Sequence, residues 1–550
     1  MNRERSADLV ILVTLWVALA VLHGEAIGQW WLNDDPQVLL QAIRNSPLET
    51  LSDPGSWQTL SASNFTPLVT LSFELDLALG GPEPRLFYVH HLLAAGFALT
   101  LLFILLRRAV PPLSAGLACA GVLLSPAMFY ATRTLMVRHY LEGLCLALLA
   151  LLVWDWRRES RIAGVGVACL YLGSMLAKEV YAPLPLVMMV MARARGERWR
   201  DLLLRILPSV VAAAVYLFWR IGMLGSGGGY GSAKMRPLET LQLLWLQIAG
   251  PVPRPVALVW IIVAGVIVGM ALPRKGRLFA GAITAGAVAV VLPLVPLGSL
   301  LDVRHALVPT IALFALLALA LGAIERERGI ATGALALFLF AAGYGGFRTA
   351  AALDRYTTRM STEGRYVWSH PAGAPVLLAG APEWYLSGIA DLRRVEGKGD
   401  APPYVLSGHA LLLGVADVDA TVAATDSGDL APIPAAVSAQ IRARRAAADP
   451  DAPLEIVLRR EGSEIEWRFG PACDCRWTYL TVPHYDDFAV GDHGRLRTPR
   501  PLDEQWFRVM KESSDGSWTV SPSLRMPADG EKIEWKRDAT KMDPRNSVQN

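Results

Sequence analysis

The residues best placed by type and spacing to do chemistry are Asp34 and Asp35, in the stretch Trp30-Trp31-Leu32-Asn33-Asp34-Asp35-Pro36. Two adjacent carboxylates stand where the chain leaves its first apolar segment, behind tryptophans of a kind that favours the membrane–water interface. A carboxylate held there can act as general base on a hydroxyl, facing a substrate carried in the lipid. The competing reading is that Asp34 and Asp35 cap a helix opened by Pro36, since Asp before a helical Pro is a common start signal.

Cations are the second chemical resource. Arg133, Arg138-His139, Lys178-Glu179 and Arg304-His305 stand at the ends of apolar segments or between them. Charges held at membrane depth are costly and mark candidate functional sites. Arg, Lys and His can stabilise a departing phosphate while a carboxylate takes the acceptor proton. Each also has a structural reading. Arg138 stands four residues before Glu142 and can pair with it along a helix. Lys178 can snorkel to the interface beside Glu179, Arg304 can pair with Asp302, and His90-His91 read as interfacial histidines.

These residues need a membrane scaffold, and the composition supplies one. The chain has 550 residues, 53% hydrophobic and 18% charged, with mean hydropathy +0.35, which defines an integral membrane protein with a soluble part. A net charge of +3 gives no reason to expect a nucleic-acid partner. Among five cysteines, Cys119, Cys145 and Cys169 lie in apolar segments, and pairing of Cys473 with Cys475 is left open.

Eleven apolar stretches read as spans: 8–27, 86–106, 112–131, 140–156, 162–177, 180–192, 202–222, 254–272, 278–297, 305–324 and 330–347. Each is compared with the ~20 residues needed to cross ~30 Å of hydrocarbon. Those at 140, 162 and 180 are short, and the last reads as tilted or partly re-entrant. The first segment reads as a retained helix rather than a cleaved signal. Pro126, Pro183, Pro185, Pro208 and Pro293 predict kinks. With eleven spans the basic clusters fall on one side: Arg3 and Arg5, Arg107-Arg108, Arg157-Arg158 with Arg161, Arg193 to Arg200, Arg274-Lys275-Arg277, and Arg326 with Arg328. By the positive-inside rule that side is the cytoplasm. Asp34, Asp35 and the cations named above then share the opposite face.

The first outer loop, 28–85, has helical apolar spacing at Asp35 to Arg44 and Trp57 to Leu60, and a break at Asn64-Phe65-Thr66-Pro67. It predicts amphipathic helices lying on the outer membrane face. The Gly-rich segment 222–233 reads equally as a linker or as a mobile gate. From 348 to 550 hydrophobicity falls, and strand-like runs appear at Val376 to Leu378, Leu454 to Leu458 and Glu464 to Phe469, the last two around a turn at Arg459 to Ser463. The fold class is therefore mainly α: a polytopic membrane helix bundle over 1–347, with an extracytoplasmic α+β or β-rich soluble domain over 348–550. The tail after about 525 reads as loose.

This order of features resembles the GT-C membrane glycosyltransferases, particularly the protein O-mannosyltransferase and tetratricopeptide-linked mannosyltransferase branch and its bacterial relatives. The resemblance covers roughly 8–325. It rests on Asn33-Asp34-Asp35, the run Phe65 to Asp76, Arg138 opening the fourth span, Leu176-Ala177-Lys178-Glu179, and Arg304-His305-Ala306-Leu307-Val308-Pro309. It implies inverting transfer from a polyprenyl-phosphate-linked sugar donor to a glycan, lipid or protein acceptor, in a plasma membrane such as a bacterial inner membrane. Asp34 would match the general base, and Asp35 would position acceptor or donor. Arg138, Lys178 and Arg304 would contact phosphate by position, with His139, Glu179 and His305 beside them in the substrate site. The sequence departs from the family in its Asp-Asp pair, where several branches carry Asp-Glu. It departs again in Arg138-His139, where relatives often carry a small residue and an acidic one, and in lacking tetratricopeptide repeats after the last span. Some members use a divalent metal, but too few outer-loop carboxylates are available here, and no cofactor is expected. A flippase of lipid-linked sugars would favour inverted repeats and polar groups at the midplane. A non-catalytic anchor for 348–550 leaves the outer-face charges without a purpose.

The charge asymmetry gives the first prediction. A reporter fused after Arg348 is expected to be active only outside the cytoplasm, and one fused after Arg158 only inside. A cytoplasmic reading at 348 would overturn the assigned sidedness.

Overall fold

The computed structural model describes residues 3–61, 63–156, 161–225, 237–250, 301–323, 328–370, 376–378, 381–425, 429–462, 464–497 and 505–537, with isolated positions between 251 and 300. The expected spans at 254–272 and 278–297, and most of the Gly-rich segment, lie outside the described residues. The chain divides into two compact units, Met1–Thr357 and Thr358–Asn550.

Proline punctuates the first unit. Helix α1 is Arg3–His23; it is followed by α2 Asp35–Arg44, α3 Pro47–Ser52, α4 Pro54–Leu60, α5 Pro67–Gly80, α6 Pro84–Arg107, α7 Pro112–Leu123 and α8 Pro126–Arg133. From α2 to α8 each helix carries Pro in its first turn, where the missing N–H loses no bond and φ is already helical. Then come α9 Arg138–Trp156, α10 Arg161–Ala177, α11 Leu184–Ala194, α12 Trp199–Leu224, α13 Pro237–Ala249, α14 Leu307–Ala323 and α15 Arg328–Ser369.

Among the described residues, five helices are long and apolar enough to cross a membrane, and six if α7 and α8, bent by 59° at Ser125-Pro126, form one span. The chain is an integral membrane protein. The stretches expected to cross at 162–177 and 180–192 form helices of 17 and 11 residues. At 1.5 Å per residue the second spans about half the hydrocarbon. Pro208 lies inside α12, while Pro183 and Pro185 start α11 rather than kinking it. Bundle helices approach closely where side chains are small: a Cβ on Gly121 of α7 would collide with the Phe314 ring of α14.

One end of the bundle gathers arginines onto a buried acid, Asp155, and a half-buried one, Asp8. Asp155, at the end of α9, pairs with Arg108 at 2.5 Å and with Arg195, and Asp8 takes Arg107 at 2.6 Å. Arg138 opens the same helix, 17 residues away, so the two charged ends stand about 25 Å apart, close to one hydrocarbon thickness.

The segment between α1 and α6 folds as helices where amphipathic helices are expected, with α2 matching Asp35–Arg44 and a break before Pro67. Hydrogen bonds clamp it to the end of α12. Trp219 Nε1 donates to the Leu51 carbonyl (2.8 Å), Gln58 Nε2 to Met223 (2.9 Å), Tyr216 Oη to Phe65 (3.1 Å) and Arg220 Nη2 to Ser63 (3.0 Å). The break before Pro67 is thus a docking point: the Ser63 and Phe65 carbonyls receive donors from α12.

The second unit is α+β. Strand β1 Val376–Leu377 lies parallel between β2 Tyr404–Val405 and β3 Val422–Ala424, with helix α16 Glu383–Val395 crossing from β1 to β2 and β4 Leu430–Pro432 at the edge. Two antiparallel sheets follow. One has the order β13–β5–β6–β9 and the other β11–β10–β7–β8, with β12 on β10. In the first, β5 is Leu454–Glu461, β6 Glu464–Gly470, β9 His493–Arg497 and β13 Lys532–Arg537. In the second, β7 is Cys475–Val482, β8 Asp487–Val490, β10 Trp506–Ser513, β11 Trp518–Val520 and β12 Leu524–Arg525. Their inward faces share one core containing Leu454, Ile456, Phe469, Trp477, Phe507 and Val509.

Two expectations need correction here. The turn expected over 459–463 is shorter, because β5 continues to Glu461, which pairs with Glu464; Arg460 is buried and donates to the Gly462 carbonyl at 3.0 Å. The tail is not loose after 525: Lys532–Arg537 pairs along the whole of Leu454–Arg459, and only residues beyond 537 lie outside the description. Cys473 and Cys475 form a disulfide.

Candidate active site

The carboxylate loop is anchored inward, not laid on an interface. Trp31 is fully buried and meets the Phe87 ring edge-on at 4.8 Å, and Tyr88 Oη of α6 donates to the Trp30 carbonyl at 3.3 Å. Asn33 takes the left-handed conformation, φ 49°, which Asn tolerates better than most residues. The chain then closes on itself. The Asp35 N–H donates to the Leu32 carbonyl (3.0 Å) and the Leu32 N–H to Asp35 Oδ2 (2.8 Å).

This reciprocal lock separates the two acids. Asp35 is 0% exposed. Burial pushes its carboxyl well above the usual range, the Leu32 N–H opposes that, and Asp34 adds to it. Asp34 is only half-buried. It occupies the N-cap position of α2 but makes no side-chain cap bond, so the helix-cap reading does not describe Asp34. Asp35 binds a backbone N–H preceding the helix, not one inside it.

The cations collect around a residue the sequence reading passed over, Tyr140. Its ring lies 4.8 Å from that of His139 and 6.2 Å from that of His305, and Lys178 Nζ stands 5.7 Å above it. Lys178, Arg304 and His305 all act electrostatically on His139. His139 is buried, with Nδ1 making no hydrogen bond. His305 is oriented by its own turn: Asp302 N–H donates to His305 Nδ1 at 3.0 Å, leaving Nε2 as the ring's donor. Arg304, with 27% of its side chain exposed, pairs with Asp302 at 3.6 Å.

Glu179 belongs to the support of this cluster. One oxygen faces Lys178 Nζ at 3.5 Å and the other Arg220 Nη1 at 3.4 Å. Burial pushes its carboxyl up, yet Lys178 and Arg220 together outweigh burial and hold it below its ordinary value. Arg220 also bonds the Ser63 carbonyl, so the break before Pro67 is joined through Arg220 and Glu179 to Lys178.

The two halves meet. The Met136 backbone lies against both the Asp35 carboxylate and the His139 ring. On the other flank Tyr130 Oη donates to Asp302 at 3.3 Å and senses both Arg304 and Tyr356, while Tyr356 senses Asp34. Lys178, Arg304 and His305 thus gather near His139, and Asp34 lies near Tyr356. No group of three or more metal-ligating side chains occurs among the described residues.

Arg138 stands apart. It is 0% exposed and its guanidinium is committed to Asp76 (2.5 Å), Ser72 Oγ (3.1 Å) and the Phe87 carbonyl (2.5 Å), over the rings of Phe73 and Phe87. The expected partner Glu142 instead accepts from Ser72 at 2.5 Å, and His90 Nδ1 meets Asp76 at 2.8 Å. His91 bonds the Ala131 carbonyl, and Arg133 pairs with Asp354 and Glu25. Of these partners, Asp76 stood inside the quoted run from Phe65, but its pairing had no local signal.

The fold defines a polytopic membrane helix bundle followed in sequence by an α+β unit. No family model matches the chain, and no curated protein does. Among solved structures it is similar to ArnT from Cupriavidus metallidurans bound to undecaprenyl phosphate, at 13% identity, covering 76% of this chain and 93% of that one with TM-score 0.43. The apo state of that protein gives 14%, 76%, 92% and 0.44. At TM-scores below 0.5 neither likeness bears on the chemistry of this chain.

The Arg138 geometry makes a prediction. Arg138→Met and Asp76→Asn are each expected to destabilise the protein by about 3–5 kcal/mol, because each strands a buried charge. Thermal unfolding in detergent checks this, with the double variant less destabilised than the sum. Variants that melt like wild type but lose donor binding would place Arg138 in the substrate site.

Proposed function

We propose that the chain is a membrane glycosyltransferase that moves a sugar from a polyprenyl-phosphate carrier to a hydroxyl acceptor on the extracytoplasmic face. The observation that carries this is the clustering of Lys178, Arg304 and His305 about His139, in the same compact unit as the half-buried Asp34 carboxylate. A carboxylate base and a phosphate-sized positive site are the two requirements of displacement at an anomeric carbon. The acceptor oxygen attacks that carbon and gives its proton to Asp34. The carbon–oxygen bond to phosphate breaks on the opposite face, with inversion, and the pair of electrons leaves on the phosphate. Lys178 and Arg304 balance that charge, and His305 donates a hydrogen bond from Nε2.

Asp35 serves the loop rather than the proton: buried and bound to Leu32, it fixes where Asp34 stands. Arg138 is scaffold in this reading. The acceptor is a glycan, lipid or protein, and the unit 358–550 is the part of the chain free to recognise it. The reaction as drawn calls on no metal.

The test uses membrane vesicles with equal amounts of each variant and radiolabelled undecaprenyl-phosphate sugars, mannose first, following label leaving the lipid fraction. Asp34→Asn is expected to insert normally and lose ~10²–10⁴-fold in rate, the usual effect of removing a general base. Lys178→Met and Arg304→Met are expected to weaken donor use, and Arg304→Lys to remain impaired because Lys lacks the planar fork. Full activity of Asp34→Asn would remove the base, and normal turnover in both Met variants would remove the phosphate site.

A further inference from the structure

We infer that Tyr356 is a positioning residue for the Asp34 carboxylate, acting through the Asn33 side chain; the inference rests on Asp34 being the base proposed above. Tyr356 Oη donates to Asn33 Oδ1 at 2.9 Å. Asn33 is one of two non-glycine residues with positive φ among those described, and it immediately precedes Asp34. The left-handed conformation is disfavoured for a residue with a side chain, and a hydrogen bond to the Asn33 side chain helps to hold it. If Asn33 relaxed to negative φ, the peptide into Asp34 would rotate and displace the Asp34 carboxylate. The bond from Tyr356 opposes that rotation.

Tyr356 can do this because its own helix is fixed beside the loop. Two residues earlier on α15, Asp354 takes Arg133 Nε at 3.1 Å, tying α15 to α8. Tyr130, also on α8, bonds Asp302 and senses Tyr356 and Arg304 together. The Tyr356 ring thus stands between the carboxylate loop and the cationic turn. Burial, then the Asp34 charge, push its hydroxyl up to about 12, so it remains a protonated donor at neutral pH. At 41% exposure the side chain contributes little to the core, and losing its hydroxyl leaves packing intact.

The test measures turnover of full-length Tyr356→Phe, Asn33→Gly, the double variant and Asp34→Asn, with the lipid-linked sugar that wild type consumes. Tyr356→Phe is expected to lower kcat about 10-fold, since a base misplaced by an ångström can cost up to 10²-fold. Donor KM and melting temperature should be unchanged. Glycine reaches positive φ freely but offers Tyr356 no oxygen, so Asn33→Gly should lower kcat similarly, and Tyr356→Phe should then cost nothing more. Wild-type kcat in Tyr356→Phe, a loss confined to donor KM, or losses that multiply in the double variant would each overturn the inference. An inactive Asp34→Asn beside a fully active Tyr356→Phe overturns this inference alone. A fully active Asp34→Asn overturns it together with the base reading.

Discussion

The arrangement depends first on one buried ion pair, Arg138 with Asp76. Its partners come from three elements: Asp76 and Ser72 from α5, the Phe87 carbonyl from α6, and Arg138 itself from the start of α9. A charge taken this far from water is tolerated only when paired and hydrogen-bonded, and breaking such a pair is more damaging than the pair is stabilising. The network therefore acts as a registration device. With α5, α6 and α9 fixed against one another, His139 and Tyr140 follow directly from Arg138, and Trp31 finds its place against Phe87. The start of α9, which bears His139, and the α6 position against which Trp31 packs are both set by the same buried guanidinium.

Much of this scaffold is readable from the chain because its causes are local. Apolar length sets the spans, proline sets helix starts, and Asp35–Arg44 declares itself by spacing and by Pro36. What could not be read shares one feature: the partner is distant in sequence. Arg138 finds Asp76 at 62 residues, not Glu142 at four, because α9 buries Arg138 against α5. Lys532–Arg537 looks like polar tail, yet its alternation fits the open edge of β5. The helix Arg328–Ser369 runs through the fall in hydrophobicity at 348, since helical hydrogen bonds need no apolar neighbours once the turns are nucleated. Tyr140 and Tyr356 carried no signal beyond being tyrosines.

The carboxylate pair shows the limit most clearly. In sequence Asp34 and Asp35 are equivalent neighbours, and composition cannot rank them. The backbone does so by reversing at Asn33: one acid turns in to the Leu32 N–H and the other is left half-open. Environments that push two acids apart are what allow different roles for like residues. Here the buried member is bound to the Leu32 N–H, and its neighbour is half-exposed.

The same division of labour runs through the cationic half. Glu179 lies next to Lys178 and invites reading as part of a substrate site, but its two oxygens are held by Lys178 and Arg220. Arg220 in turn reaches the Ser63 carbonyl, in the break before Pro67. The non-helical residues 63–66 therefore have a physical reason to be so: the Ser63 and Phe65 carbonyls receive Arg220 and Tyr216 from α12. Through that contact the segment before Pro67 and Lys178 are parts of one polar frame. Residues separated by over a hundred positions are thereby held together through a backbone carbonyl and the Arg220–Glu179 pair rather than by any local contact.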